Sequence, residues 1–172
     1  MNALISSCER YRYRLERSTG AIGGPLAWLM LNPSTADATK DDPTIRKVIE
    51  FTRRNGYGRA IVVNLFAWRA TKPRDCLANL ADAEGALNYR EIMAAGREAG
   101  AVVCAWGAQP WAEEQASAVL DWLRSSETPI RLLCLGLTKS GAPLHPLMPS
   151  YAGHPLIPFR AGDTKRVAQG GK

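Results

Sequence analysis

The sequence predicts an α/β fold built on a central, mainly parallel sheet of four strands, with a further strand or hairpin at the N-terminus. Three observations carry this prediction. Short apolar runs recur along the chain, as in "LAWLML", "AIVVN", "AVVCAW" and "IRLLCLG". Amphipathic stretches of helical length separate them. Each run closes on a polar residue or a glycine, the punctuation expected where a strand leaves a sheet. Parallel neighbours need a crossover of a dozen or more residues, and such crossovers are right-handed.

The elements follow in order. "CERYRYRLER", from Cys8 to Arg17, alternates residue types and reads as a strand with one polar face. The turn "STGAIGGP" leads into "LAWLML", a continuous apolar run typical of a strand covered on both sides. "DPTIRKVIEFTRRNGYG" reads as a helix, with Asp42 as N-cap, Pro43 in the first turn and Gly56 at its left-handed end. "RAIVVNLFAW" is a second buried strand, and "RATKPRD" a loop. A helix is predicted from about Asp82 to Glu98, ended by Gly100. "AVVCAW" is the third strand, closed by Gly107, and "PWAEEQASAVLDWLRSS" a helix opened by Pro110. "IRLLCLG" is the fourth strand, and the remainder reads as loop rich in proline and glycine. At 172 residues the chain suits one domain, taken as 1–160, with "AGDTKRVAQGGK" (161–172) as a basic, flexible tail.

Charge and cysteine usage narrow the function classes. Lys and Arg number 22 against 16 Asp and Glu, and the net charge of +6 fits a polyanionic partner. The four cysteines form no C-x-x-C, which argues against a zinc site or a four-cysteine iron–sulfur cluster. Cys104 and Cys134 sit in apolar runs and read as buried free thiols. Reduced cysteines and the lack of a secretory leader make a cytoplasmic location the expectation. No apolar stretch approaches the roughly 20 residues of a membrane span.

In an open parallel sheet, ligands bind beyond the carboxyl ends of the strands. Those ends carry Asn32-Pro33-Ser34, then Asn64, then Trp106-Gly107, then the segment from Gly136 to His145 and Pro146. The topology would bring these separated residues to one edge. Each also has a structural reading. Asn-Pro is a common turn dipeptide, Asp42 suits a helix cap, and Trp106 suits a core. Asn64 is less easily explained that way, because an amide in a buried strand needs partners.

The same residues resemble motifs of the uracil-DNA glycosylase superfamily. "LMLNPS" is similar to a first motif in which a strand ends in Asn-Pro-Gly, with Ser34 in place of the glycine. "VVNLFAWRAT" is similar to the second-strand segment of the thymine-mismatch branch, and "VVCAWGAQPW" to a third strand ending in Trp-Gly. "PLHPL" is similar to the His-Pro-Ser loop after the fourth strand, with leucine replacing the serine. Over nearly the whole chain, "RYRYRLER", "LNPSTAD", "DDPTIRK", "NLFAWRAT" and "HPL" resemble family 1643 of domains of unknown function, a resemblance that implies no activity of its own.

The glycosylase resemblance implies a three-layer α/β/α sandwich and hydrolysis of the bond between a flipped base and its sugar in DNA, without metal or other cofactor. The base would be uracil-like or modified. Asn32 would hold the attacking water, and His145 would donate a hydrogen bond to the departing base. Pro33, Ser34, Asn64, Trp106 and Gly107 would line the substrate site. Chain position adds Phe66 and Trp68 as stacking candidates and Arg69, Lys72 and Lys139 as phosphate contacts. Two other readings stay open: a catalytically silent DNA- or nucleotide-binding module on the same fold, and a magnesium-dependent phosphoesterase using Asp37, Asp41 and Asp42 beside His145.

Overall fold

The strands form where apolar and β-branched residues run together, and the helices where Pro or Asp starts an amphipathic stretch. The computed structural model describes residues 2–34, 36, 39–152 and 155–160. Its strands are β1 (Asn2–Ile5), β2 (Arg12–Ser18), β3 (Pro25–Met30), β4 (Arg59–Asn64), β5 (Ala101–Cys104), β6 (Arg131–Cys134) and β7 (Ile157–Pro158). The α-helices among the described residues are α1 (Pro43–Arg54), α2 (Pro73–Leu77), α3 (Asn88–Ala99) and α4 (Glu113–Arg124).

All seven strands lie in one sheet, in the order β1-β2-β4-β3-β5-β6-β7. This corrects the expectation of a mainly parallel sheet of four strands. The pairs β3–β4, β3–β5 and β5–β6 are parallel, so the four apolar runs do make a parallel centre. The sheet as a whole is mixed because antiparallel strands flank that centre. The N-terminal segment is a hairpin whose second strand pairs with β4, and residues 157–158 fold back along β6.

Successive residues of β3 face opposite sides, as pleating requires. Leu26, Trp28 and Met30 join a cluster with Ile45, Val48 and Phe51 of α1. Ala27 and Leu29 join another with Ile92 of α3 and Val119 and Leu123 of α4. Helices therefore cover both faces, and both clusters are built from the residues of a doubly buried strand.

Local chemistry sets the ends. Asp42 caps α1 by accepting from Ile45 N at 2.9 Å, and Pro43 opens the helix. Gly100 ends α3 at φ +63°, a conformation that side chains disfavour. Two buried arginines of β2 tie down the segment before α1. Arg12 Nη1 donates to Ala36 O at 2.7 Å, and Arg17 Nε to Asp41 Oδ1 at 2.6 Å.

Several boundaries differ from the expectations. β2 starts at Arg12, because the chain turns between Ser6 and Tyr11. The stretch "RATKPRD" is not all loop, since α2 begins at Pro73. The helix placed from Asp82 begins at Asn88, behind a short 3-10 turn at Leu80–Asp82 and a bend at Gly85 with φ +74°. A Cβ at Gly85 would lie 2.8 Å from Tyr11 Cδ1 and 2.9 Å from Tyr13 Cε1, so the close approach of β2 also favours glycine there. Pro110 opens a 3-10 turn, and α4 proper starts at Glu113. The predicted tail 161–172 lies outside the described residues. No helix among the described residues is long and apolar enough to cross a membrane.

Candidate active site

A cavity of about 520 Å³ opens at the carboxyl ends of the four parallel strands. That volume lies within the roughly 300–1,000 Å³ of small-molecule sites. Asn32, Ser34, Asn64, Trp106, Gly107 and His145 all line it. Four separate parts of the chain thus meet at one sheet edge.

Asn32 stands two residues beyond the end of β3. Its Nδ2 donates to Ala70 O at 2.8 Å and to Pro33 O at 3.1 Å, which fixes the amide plane. Oδ1 receives no hydrogen bond from a described residue and is left as an acceptor on the cavity wall.

Asn64 ends β4 and is 1% exposed. Its backbone is held firmly: Asn88 Nδ2 donates to Asn64 O and Leu65 O at 3.0 Å each, and Gln115 Nε2 donates to Leu65 O at 3.2 Å. Its side-chain Nδ2 is buried and has no partner among the described residues. A buried donor without an acceptor costs about 1–3 kcal/mol. Asn64→Leu is therefore expected to stabilise the free protein, or leave it unchanged, while weakening ligand binding. Urea unfolding and ligand titration of the same variant check both halves, and a clear loss of stability would show that the amide serves the fold.

His145 is half-buried on the loop after β6. Backbone bonds Gly107 N to Pro143 O at 3.0 Å and Leu144 N to Gly136 O at 2.9 Å dock this loop against the ends of β5 and β6. Gly107 has φ +77°, and a Cβ there would lie 3.5 Å from His145 Cβ. Leu147 N donates to His145 Nδ1 at 3.3 Å, which assigns the ring proton to Nε2. Burial lowers the His145 pKa from its ordinary 6.5, and the Asp42 carboxylate opposes that shift in part. The ring is thus a neutral imidazole with one N–H to offer.

Of the other predicted residues, most lie outside the cavity lining. Pro33 is buried behind the wall, where its carbonyl accepts from Ala70 N at 2.8 Å. Phe66 is 3% exposed and packs on Trp111 at 5.4 Å, and Trp68 sits edge-on to Tyr11 at 5.6 Å, so neither reaches the cavity lining. Trp106 lines the cavity and also packs against Phe159. Lys72 and Lys139 are exposed and outside the lining, and Arg69 donates through Nη1 to Glu9 O at 3.0 Å.

Sequence reasoning missed Arg12, Thr71, Gln109 and Thr138, which also line the cavity. Thr71 and Thr138 lie a few residues past strand ends, a signal that could have found them. Of the acidic residues, Asp41 is held by Arg17 and Asp42 caps α1, while Asp37 lies outside the described residues. Among the described residues no three His, Cys, Asp or Glu side chains gather as a metal site. Cys76, Cys104 and Cys134 are buried, and burial pushes the Cys76 thiol up to about 11.

Fold and site together define an α/β protein with a polar pocket at the carboxyl edge of a parallel strand group. The chain belongs to the family described as proteins of unknown function (DUF1643), whose model matches residues 12–147. That span includes Asn32, Asn64, Trp106 and His145. No curated protein and no solved structure matched the chain significantly.

Proposed function

We propose that this protein is a DNA glycosylase that hydrolyses the bond between a flipped, uracil-like or modified base and its sugar, without a metal ion. The observation that carries the reading is the state of three side chains on one cavity. Asn32 and His145 are each anchored through one polar atom and keep another unengaged, and Asn64 holds a buried amide with no partner. The order of the parallel strands, with β3 between β4 and β5, and the resemblance of the four motifs to the uracil-DNA glycosylase superfamily support the same reading.

In this reaction the C1′–N bond breaks and its electron pair leaves with the base, so positive charge develops on the sugar. Asn32 Oδ1 accepts a hydrogen bond from a water that adds to C1′. The water's proton passes to solvent or to the base anion, giving free base and an abasic sugar. An amide is no strong base, which suits a step in which the leaving group departs largely before attack. His145 Nε2–H donates to the base oxygen where negative charge grows, and a neutral imidazole suits this role. Asn64 reads the base edge, since an amide offers both donor and acceptor. The magnesium reading loses support, because Asp41 and Asp42 already have structural partners.

The test is a cleavage assay in EDTA on labelled oligonucleotides. These would carry uracil, mismatched thymine or modified pyrimidines, in single and double strands, followed by alkali to break abasic sites. Alkali-dependent breaks that Asn32→Ala and His145→Ala both lose support the proposal. DNA binding without any break would instead favour the silent module.

The pH profile supplies a second expectation. Because burial lowers its pKa, His145 keeps more of its neutral form at pH 6.5 than an unperturbed histidine, half of which is charged there. The rate of base release is expected to hold through pH 6.5 and fall only as pH drops through the lowered pKa. Stability contributed by the neutral ring is present above 6.5 and lost through that same window, because the unfolded chain takes up the proton first. A rate that rises on acidification would mean that the cationic ring is the active form.

A further inference from the structure

A shallower depression of about 280 Å³ adjoins the main cavity, lined by Glu9, Ser34, Arg69, Ala70 and Thr71. Ser34, Ala70 and Thr71 line both, so the two spaces meet along one rim. Arg69 supplies the positive charge. Its Nη1 donates to Glu9 O, which holds the guanidinium in place, and it has no ion-pair partner among the described residues. Its Nε is buried without an acceptor. The hydroxyls of Ser34 and Thr71 make no hydrogen bond to a described residue. The Glu9 side chain is exposed, where water screens its charge.

A fixed guanidinium beside two unengaged hydroxyls matches the donor set that holds a phosphate. The position matches as well, because a phosphate is one sugar away from a base. We infer that the depression formed by Ser34, Arg69 and Thr71 is a phosphate subsite for the nucleotide whose base enters the main cavity. This inference rests on the glycosylase reading for the identity of that base, and it assigns the residues that hold the phosphate beside it. Leu147 stands where the resembling loop carries a serine, and here Ser34 after β3 and Thr71 after β4 supply the hydroxyls instead.

The phosphate could belong to a strand or to a free mononucleotide, and two probes separate these sources. Fluorescence anisotropy with a short labelled oligothymidine is followed across a salt series, and calorimetry compares thymidine 5′-monophosphate with thymidine. The variants are Arg69→Gln, and Thr71→Glu beside Thr71→Gln. Thr71 is exposed, so its variants report even if Arg69→Gln fails to fold. Arg69→Gln and Thr71→Glu are expected to weaken oligothymidine binding about tenfold. Arg69→Gln is also expected to reduce the magnitude of the salt slope by about 0.7, the value for one phosphate contact to a single strand. Thr71→Gln, which removes the hydroxyl without adding a charge, should weaken binding less than Thr71→Glu does.

A preference for the monophosphate over thymidine that Thr71→Glu abolishes places a free nucleotide's phosphate in the subsite. An effect on oligothymidine alone places a strand phosphodiester there. Wild-type affinity and slope in both charge variants overturn the inference, as does a wild type that binds neither probe. Base release is scored separately on the cleavage panel. Variant-sensitive binding without base release keeps the subsite and sinks the glycosylase, whereas base release with unchanged binding does the reverse.

Discussion

Replacing Asn32 with alanine lowers the single-turnover rate of base release by about a hundred- to a thousandfold, the scale of losing one preorganised polar group at a reacting centre. The expectation follows from how the side chain is held. Two backbone carbonyls, from Pro33 and Ala70, fix the amide before any substrate arrives. Its oxygen therefore positions water without further ordering cost, and that advantage disappears with the side chain. Substrate affinity should change little, because Asn64 and the phosphate subsite are untouched. Single-turnover kinetics on the substrate cleaved by the wild type separates rate from affinity. A rate within fivefold of wild type would remove Asn32 from the mechanism.

Trp28→Ala is expected to destabilise the fold by about 3–5 kcal/mol, the range for truncating a large buried aromatic. Trp28 is 0% exposed in the centre of β3 and packs at 6.4 Å on Phe51 of α1. Its indole N–H donates to Thr52 Oγ1 at 2.9 Å, and Thr52 donates in turn to Val48 O at 2.7 Å. Truncation opens a void between sheet and helix and removes a polar tie across it. Against a usual total of about 5–15 kcal/mol, such a loss leaves a marginal protein. Urea unfolding measures it, with Trp28→Phe as the milder comparison. A change below about 1 kcal/mol would show that α1 is not anchored through this contact.

The apolar runs made the centre of the sheet legible, because a strand buried on both faces needs no alternation to be recognised. α1 was equally plain from Asp42, Pro43 and its amphipathic spacing. The flanks were harder. β7 has two residues, too few for any periodic signal, and exists only by pairing with β6. α2 has five, less than two helical turns. Arg12 falls on the polar face of its strand and Arg17 on the opposite one, yet both are 2% exposed and bonded to the segment that leads to α1. The site divided along similar lines. Residues at strand ends could be placed by topology alone. Phe66 and Trp68 could not, since the chain leaves the sheet after Asn64 and turns those rings into packing contacts.

The strand order also bears on when the pocket exists. Asn32 and Asn64 come together once β3 and β4 pair across α1, a local event in the chain. Trp106 and His145 arrive only after β5 and then β6 have joined the other side. A chain halted before β6 docks has much of its secondary structure and no closed pocket. Any molecule that fills the pocket therefore binds only the fully assembled form and raises the melting temperature by mass action. Thermal denaturation against a nucleoside and nucleotide collection thus becomes a search for the natural ligand that needs no turnover.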